Sequence, residues 1–147
     1  LAAELVGELG GRISWIDEQN RALYHAALAH GANHLVTLVS QAMDVLRTAG
    51  SDDPAATLRP LLTAALDNVL DYGDAALTGP IVRGDVETVR THLQRLVATG
   101  QPRSTVESYV AMARATATHA VLDGRLEPRR AAELIELLDG PRTGVTG

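Results

Sequence analysis

The stretch Ala76-Leu77-Thr78-Gly79-Pro80-Ile81-Val82-Arg83-Gly84-Asp85 divides two segments whose apolar residues recur at helical spacing. Leu61 to Tyr72 precedes it, and Val86, Val89, Leu93 and Leu96 follow it. Asp85 stands at an N-cap position, where its carboxylate accepts from the orphan N–H groups of the helix behind it. Gly79, Pro80 and Gly84 are the backbone punctuation of a tight connection. A short shaped turn between two amphipathic helices predicts helix packed on helix. The same turn can aim N–H groups, the Thr78 hydroxyl and the Arg83 guanidinium at a small anion, or it can be only a well-capped loop.

Composition points the same way. The chain has 147 residues, enough for one domain with its own core and too few for two ordinary ones. Apolar residues make up 46%, Phe and Cys are absent, and much of the apolar content is Ala and Leu. Those are the strongest helix formers, and Ala lets helix axes approach closely. The expected fold is therefore an all-α bundle of about six helices with thin interfaces. Every basic residue is Arg and none is Lys, which removes one common catalytic group. A formal charge of −5 disfavours nucleic acid and anionic membrane as partners. No eighteen-residue apolar run is present. Without cysteine there is no disulfide, thiolate metal site or cysteine nucleophile, which is compatible with the cytoplasmic location expected for the chain.

Outward from the central turn, a long helix is predicted from Glu18 to about Thr48, capped by Asp17, with apolar residues on more than one face, as a central helix would have. Thirty residues span roughly 45 Å, so a kink near Gly31 or projection into a partner is expected. Ser51-Asp52-Asp53-Pro54 restarts a helix, and Pro60 is expected to divide the region into a short helix and a longer one ending at Tyr72. Further helices are predicted over Asp85 to Ala98, Ser104 to Leu122 and Pro128 to Leu138. The second of these presents Val106, Val110, Ala113 and Ala117 as a contact stripe. Residues 1–9 are predicted helical, Arg12 to Ile16 is predicted to be a strand, and residues 140–147 a disordered tail. A lone strand has no sheet, so residues 1–16 are expected to be the remnant of a preceding α/β domain and 17–139 the helical domain.

Chemistry-bearing residues are few. His30 and His34 stand four apart on one helix, but no third ligand lies at a diagnostic offset, and no metal is expected. Tyr24, His25 and Asn33 can present a phenol, an imidazole and an amide to one cleft, and His25 can relay a proton. The alternative packs His25 in the core. His92 and His119 stand on helices without polar company and are read as structural.

Taken together, Leu23-Tyr24-His25-Ala26-Ala27, Asn33, Leu77-Thr78-Gly79-Pro80 and Arg83-Gly84-Asp85 resemble the C-terminal helical domain of an uncharacterised bacterial family whose members carry a Rossmann-like NADP-binding N-terminal domain. More distantly, the chain is similar to the helical domains of 6-phosphogluconate dehydrogenase, ketopantoate reductase and pyrroline-5-carboxylate reductase. The resemblance runs from about Asp17 to Leu138. It implies a helical domain that closes the cleft of an NAD(P)-dependent oxidoreductase, binds a small carboxylate substrate and forms a homodimer. NADP would be held by the preceding domain, since no G-x-G-x-x-G occurs here. By position, Asn33 faces substrate, and Arg83, with Thr78, Gly79 and Pro80, binds its carboxylate. The lysine many of these dehydrogenases carry falls near Ala29 here, leaving His25 or Tyr24 as proton donor. The competing expectation is a non-catalytic helical module for dimerisation or nucleotide sensing.

Overall fold

The computed structural model describes residues 15–140. Among these the chain is all-α, with no strand. The helix expected over 1–9, residues 12–14 of the expected strand, and the tail beyond Gly140 lie outside the described residues. Trp15 and Ile16, the last two residues of that strand, have no regular secondary structure.

A 3₁₀ turn, Glu18–Asn20, leads into α1 (Arg21–Leu28), a π-helical stretch (Ala29–Asn33) and α2 (His34–Thr48). Then come α3 (Pro54–Tyr72), a 3₁₀ turn (Gly73–Ala76), α4 (Val86–Ala98), α5 (Arg103–Leu122) and α6 (Pro128–Asp139). The chain divides into two compact units, Leu1–Val39 and Ser40–Gly147.

In the first unit, the predicted irregularity near Gly31 takes the form of the π-helical stretch, whose residues bond across five positions instead of four. Asp17 occupies the N-cap position, yet its side chain makes no capping bond; its carbonyl accepts from the Asn20 N–H at 2.9 Å instead. No residue of α1, the π stretch or α2 is buried, although apolar residues stand on several of their faces. Apolar residues on several faces can only be covered by other elements, and the first unit's described part holds nothing beyond this one helical run.

The second unit holds the core. Helices α4, α5 and α6 pack on one another around Val89, Ala113, Ala117, Ala120, Leu134 and Leu138. The three alanines bring α5 close to its neighbours, and Val106 and Val110 of the expected stripe are only partly buried. Ile81 and Val82 of the central connection, and Leu126 ahead of α6, complete the cluster. The stops are regular: at Gly50, Gly84, Gly100 and Gly124, all at positive φ, the glycine N–H bonds back three residues and the next N–H bonds back five. This paired closure satisfies the carbonyls that a helix end leaves open.

Pro60 does not break α3, which runs continuously from Pro54 to Tyr72. The proline removes one bond to the Ala56 carbonyl, but both residues are exposed, so water takes its place. At the start of α3, Asp53 caps the helix through the Ala56 N–H at 2.9 Å.

Candidate functional site

The connection Leu77 to Asp85 is built from the inside out. Gly79 at φ 96° lets the chain turn, and Pro80, Ile81 and Val82 form a single helical turn. The Gly84 N–H closes that turn on the Ile81 carbonyl at 3.0 Å, and the Asp85 N–H closes it on the Pro80 carbonyl at 2.9 Å. Asp85 then starts α4, accepting from the Thr88 N–H at 3.0 Å and the Thr88 hydroxyl at 2.7 Å. These two bonds, the hydroxyl's first, hold the Asp85 carboxyl below its ordinary range, with Arg83 and His92 adding smaller electrostatic contributions.

Burial sorts the residues of this connection by role. Ile81 and Val82 are anchors in the core, and Gly84 lies against Leu126 and Arg130. Thr78 and Arg83 are exposed. Among the described residues no hydrogen bond or ion pair engages the Arg83 guanidinium. The loop thus presents an exposed hydroxyl and an exposed cation from a backbone fixed by its own bonds and by the core beneath it.

Two residues that sequence reasoning passed over hold the approach to this loop. Arg125 donates to the carbonyls of Leu77 at 2.8 Å, Ala75 at 3.3 Å and Asp74, while Asp123 accepts from its Nε at 2.7 Å. His119 meets the Asp74 carboxylate through Nδ1 at 2.8 Å. The absence of polar company expected for His119 is therefore corrected. The same correction applies to His92, whose Nδ1 meets the Tyr109 hydroxyl at 2.9 Å, with burial pushing the Tyr109 phenol pKa up. Apart from the contact between Arg125 and nearby Asp123, nothing local signals these pairs, because Tyr109 lies 17 residues from His92 and the other partners of Arg125 and His119 lie 45 to 51 residues away in sequence.

Tyr24, His25 and Asn33 belong to the first unit, and all three are exposed; His25 is not a packed core histidine. In an uninterrupted α-helix the eight steps from His25 to Asn33 would leave them about 80° apart in azimuth. The π stretch takes up one additional residue and cuts that separation to roughly 20°. Tyr24 points about 100° round from His25. Within the π stretch and the first turn of α2, His30 and His34 meet through Nδ1 atoms 3.0 Å apart, their rings edge to face. Among the described residues no group of three or more His, Asp or Glu side chains is placed to hold a metal. In the second unit an open hollow of about 470 Å³ is lined by Val86, Arg90, Glu133, Glu136, Leu137 and Gly140, and contains none of the expected site residues.

A dinucleotide needs a strand, a glycine turn and a helix to cradle its pyrophosphate. The described residues contain no strand and do not fit that group. Among the described residues no helix is long and apolar enough to cross a membrane.

Comparison with known proteins gives one family match. A domain of unknown function, DUF2520, matches residues 1–116. No curated protein and no solved structure matches the chain.

Proposed function

The chain belongs to the DUF2520 family of domains of unknown function, and on that premise we propose that it is the helical, substrate-side domain of an NAD(P)-dependent oxidoreductase acting on a small carboxylate. In this reading a separate domain holds the dinucleotide. The supporting observation is the central connection. Four of its residues, Ile81, Val82, Gly84 and Asp85, are engaged in structure, whereas Thr78 and Arg83 are turned to solvent and Arg83 has no partner among the described residues. An exposed guanidinium on a fixed backbone suits a carboxylate, which it can meet with two parallel hydrogen bonds. Thr78 adds a hydroxyl that orients the same anion. His25 and Asn33 share one face of the first helical run and offer an imidazole and an amide there. With no lysine in the chain, the proton donor is His25 or Tyr24. The helical domain also forms a homodimer.

The test uses the protein carrying both domains. NADPH oxidation is screened against small 2-keto acids and imines, in wild type and Arg83→Ala. A hundredfold or greater loss of turnover in the variant, about 3 kcal/mol of transition-state binding, supports the reading. Tight cofactor binding with no turnover on any candidate favours the non-catalytic dimerisation or sensing module instead.

A further inference from the structure

The two groups that the central connection offers to an anion, the Thr78 hydroxyl and the Arg83 guanidinium, stand on backbone held by different means. Arg83 belongs to a helical turn closed from within: its N–H reaches the Gly79 carbonyl at 3.3 Å, and the Gly84 and Asp85 N–H groups return to Ile81 and Pro80. Thr78 lies ahead of that turn. Among the described residues no backbone N–H reaches the carbonyl of Ala75 or Leu77, so the chain leading into Thr78 has no ladder of its own there.

Arg125 supplies the missing donors. Its Nη1 donates to the Leu77 carbonyl at 2.8 Å and the Ala75 carbonyl at 3.3 Å, its Nη2 donates to the Asp74 carbonyl, and its Nε donates to Asp123 at 2.7 Å. The start of the side chain is as firmly placed as its head. The Arg125 N–H bonds at 2.9 Å to the carbonyl of Ala120, a residue with no exposed surface.

The geometry points to Arg125 as a positioning residue of the anion site, acting through the Leu77 carbonyl on Thr78; this rests on the carboxylate reading above. A peptide unit is planar, so a bond to the Leu77 oxygen sets the plane that also contains the Thr78 nitrogen and Cα. The Leu77 side chain meanwhile packs against the core. Held at both its carbonyl and its side chain, Leu77 delivers the Thr78 backbone in register with Arg83. The cation of Arg125 is not aimed at the anion, because each of its three nitrogens already donates to a protein oxygen. Only a flat fork spans several carbonyls in this way, and an ammonium group does not.

Nitrogen-15 relaxation of the whole chain tests this without a substrate. The Thr78 amide is expected to be rigid in wild type, with an order parameter of about 0.85, and to fall toward about 0.6 in Arg125→Ala, with the helical circular dichroism retained. His119→Ala removes the other side-chain tether of the same turn, the 2.8 Å contact with Asp74, but leaves the Leu77 bond, so Thr78 should stay rigid. The second readout is kinetic, in the protein carrying both domains and with a 2-keto acid that it reduces. Arg125→Ala is expected to raise KM about tenfold with kcat nearly unchanged, as loss of uniform binding does. On a Thr78→Val background, which lacks the hydroxyl, the same change should add nothing. Arg125→Lys keeps the charge without the fork and should share the loss. Any of four results overturns the inference: a Thr78 amide as ordered in Arg125→Ala as in wild type, equal loosening by His119→Ala, a wild-type KM in Arg125→Lys, or additive effects of Arg125→Ala and Thr78→Val. Failure of the carboxylate reading shows elsewhere, as an Arg83→Ala variant with undiminished turnover, and leaves the substrate-free relaxation result to be judged by itself.

Discussion

Gly84 is the residue with least freedom to change. Its φ of 67° suits glycine, and a Cβ there would stand 3.0 Å from Arg130 Cβ and 3.2 Å from Leu126 Cδ1. Leu126 is buried and Arg130 Cβ is fixed to its own helix backbone, so Gly84→Ala is expected to destabilise the chain by about 1–3 kcal/mol, read from urea denaturation. Asp85 carries a pH signature. Its carboxyl is held below the ordinary value by bonds that exist only in the folded chain. The stabilisation is therefore fully present above the unfolded pKa of about 4 and is lost as pH falls through the lower, folded pKa. Asp85→Asn keeps an oxygen that accepts but does not titrate. The melting-temperature advantage of wild type over this variant should be constant above about pH 5 and shrink below about pH 4. Both residues were legible in the sequence because capping and left-handed turns are local chemistry. Arg125 and His119 were not, because their partners meet them only after the chain has folded back.

At the scale of elements, the turn glycines Gly79 and Gly84 read correctly, whereas Pro60 was over-read. A proline inside a helix costs about 3 kcal/mol relative to alanine, which argues for a break, but an exposed carbonyl recovers part of that from water. Pro60→Ala should consequently stabilise α3, by up to about 3 kcal/mol, with slower amide exchange in α3 as the direct readout. The predicted irregularity near Gly31 was legible as a location only. Helical periodicity does not specify that the chain would accommodate it by an additional residue in one turn, and that choice sets which side chains share a face with His25.

For the whole molecule, the all-α class follows from Ala, Leu and the spacing of apolar residues, and the described structure agrees. Where the core would sit was less legible. The longest apolar helical run suggested a centre, yet the fully buried large side chains are Leu134 and Val89, on short helices with mixed composition. Periodicity reports that a face wants cover and is silent on what covers it. Leu134→Ala, which opens a cavity where no side chain can relax into solvent, is expected to cost about 2–5 kcal/mol in denaturant titration. Protection against hydrogen exchange should likewise concentrate in α4 to α6, with the amides of α1 exchanging orders of magnitude faster because nothing buried holds them.

The back-to-back stop and start at Gly84 and Asp85 has one more consequence. One helix end and one helix beginning share adjacent residues, which leaves no slack in which a hinge could lie. The platform beneath Thr78 and Arg83 accordingly moves as one piece with the core. An anion captured there orders two side chains and no loop, an entropic cost of about 0.5–1.5 kcal/mol for each. Affinity at such a spot is set by the fit of the anion to two groups carried on a preorganised backbone, and an inserted residue between Gly84 and Asp85 would forfeit it by turning a fixed elbow into a tether.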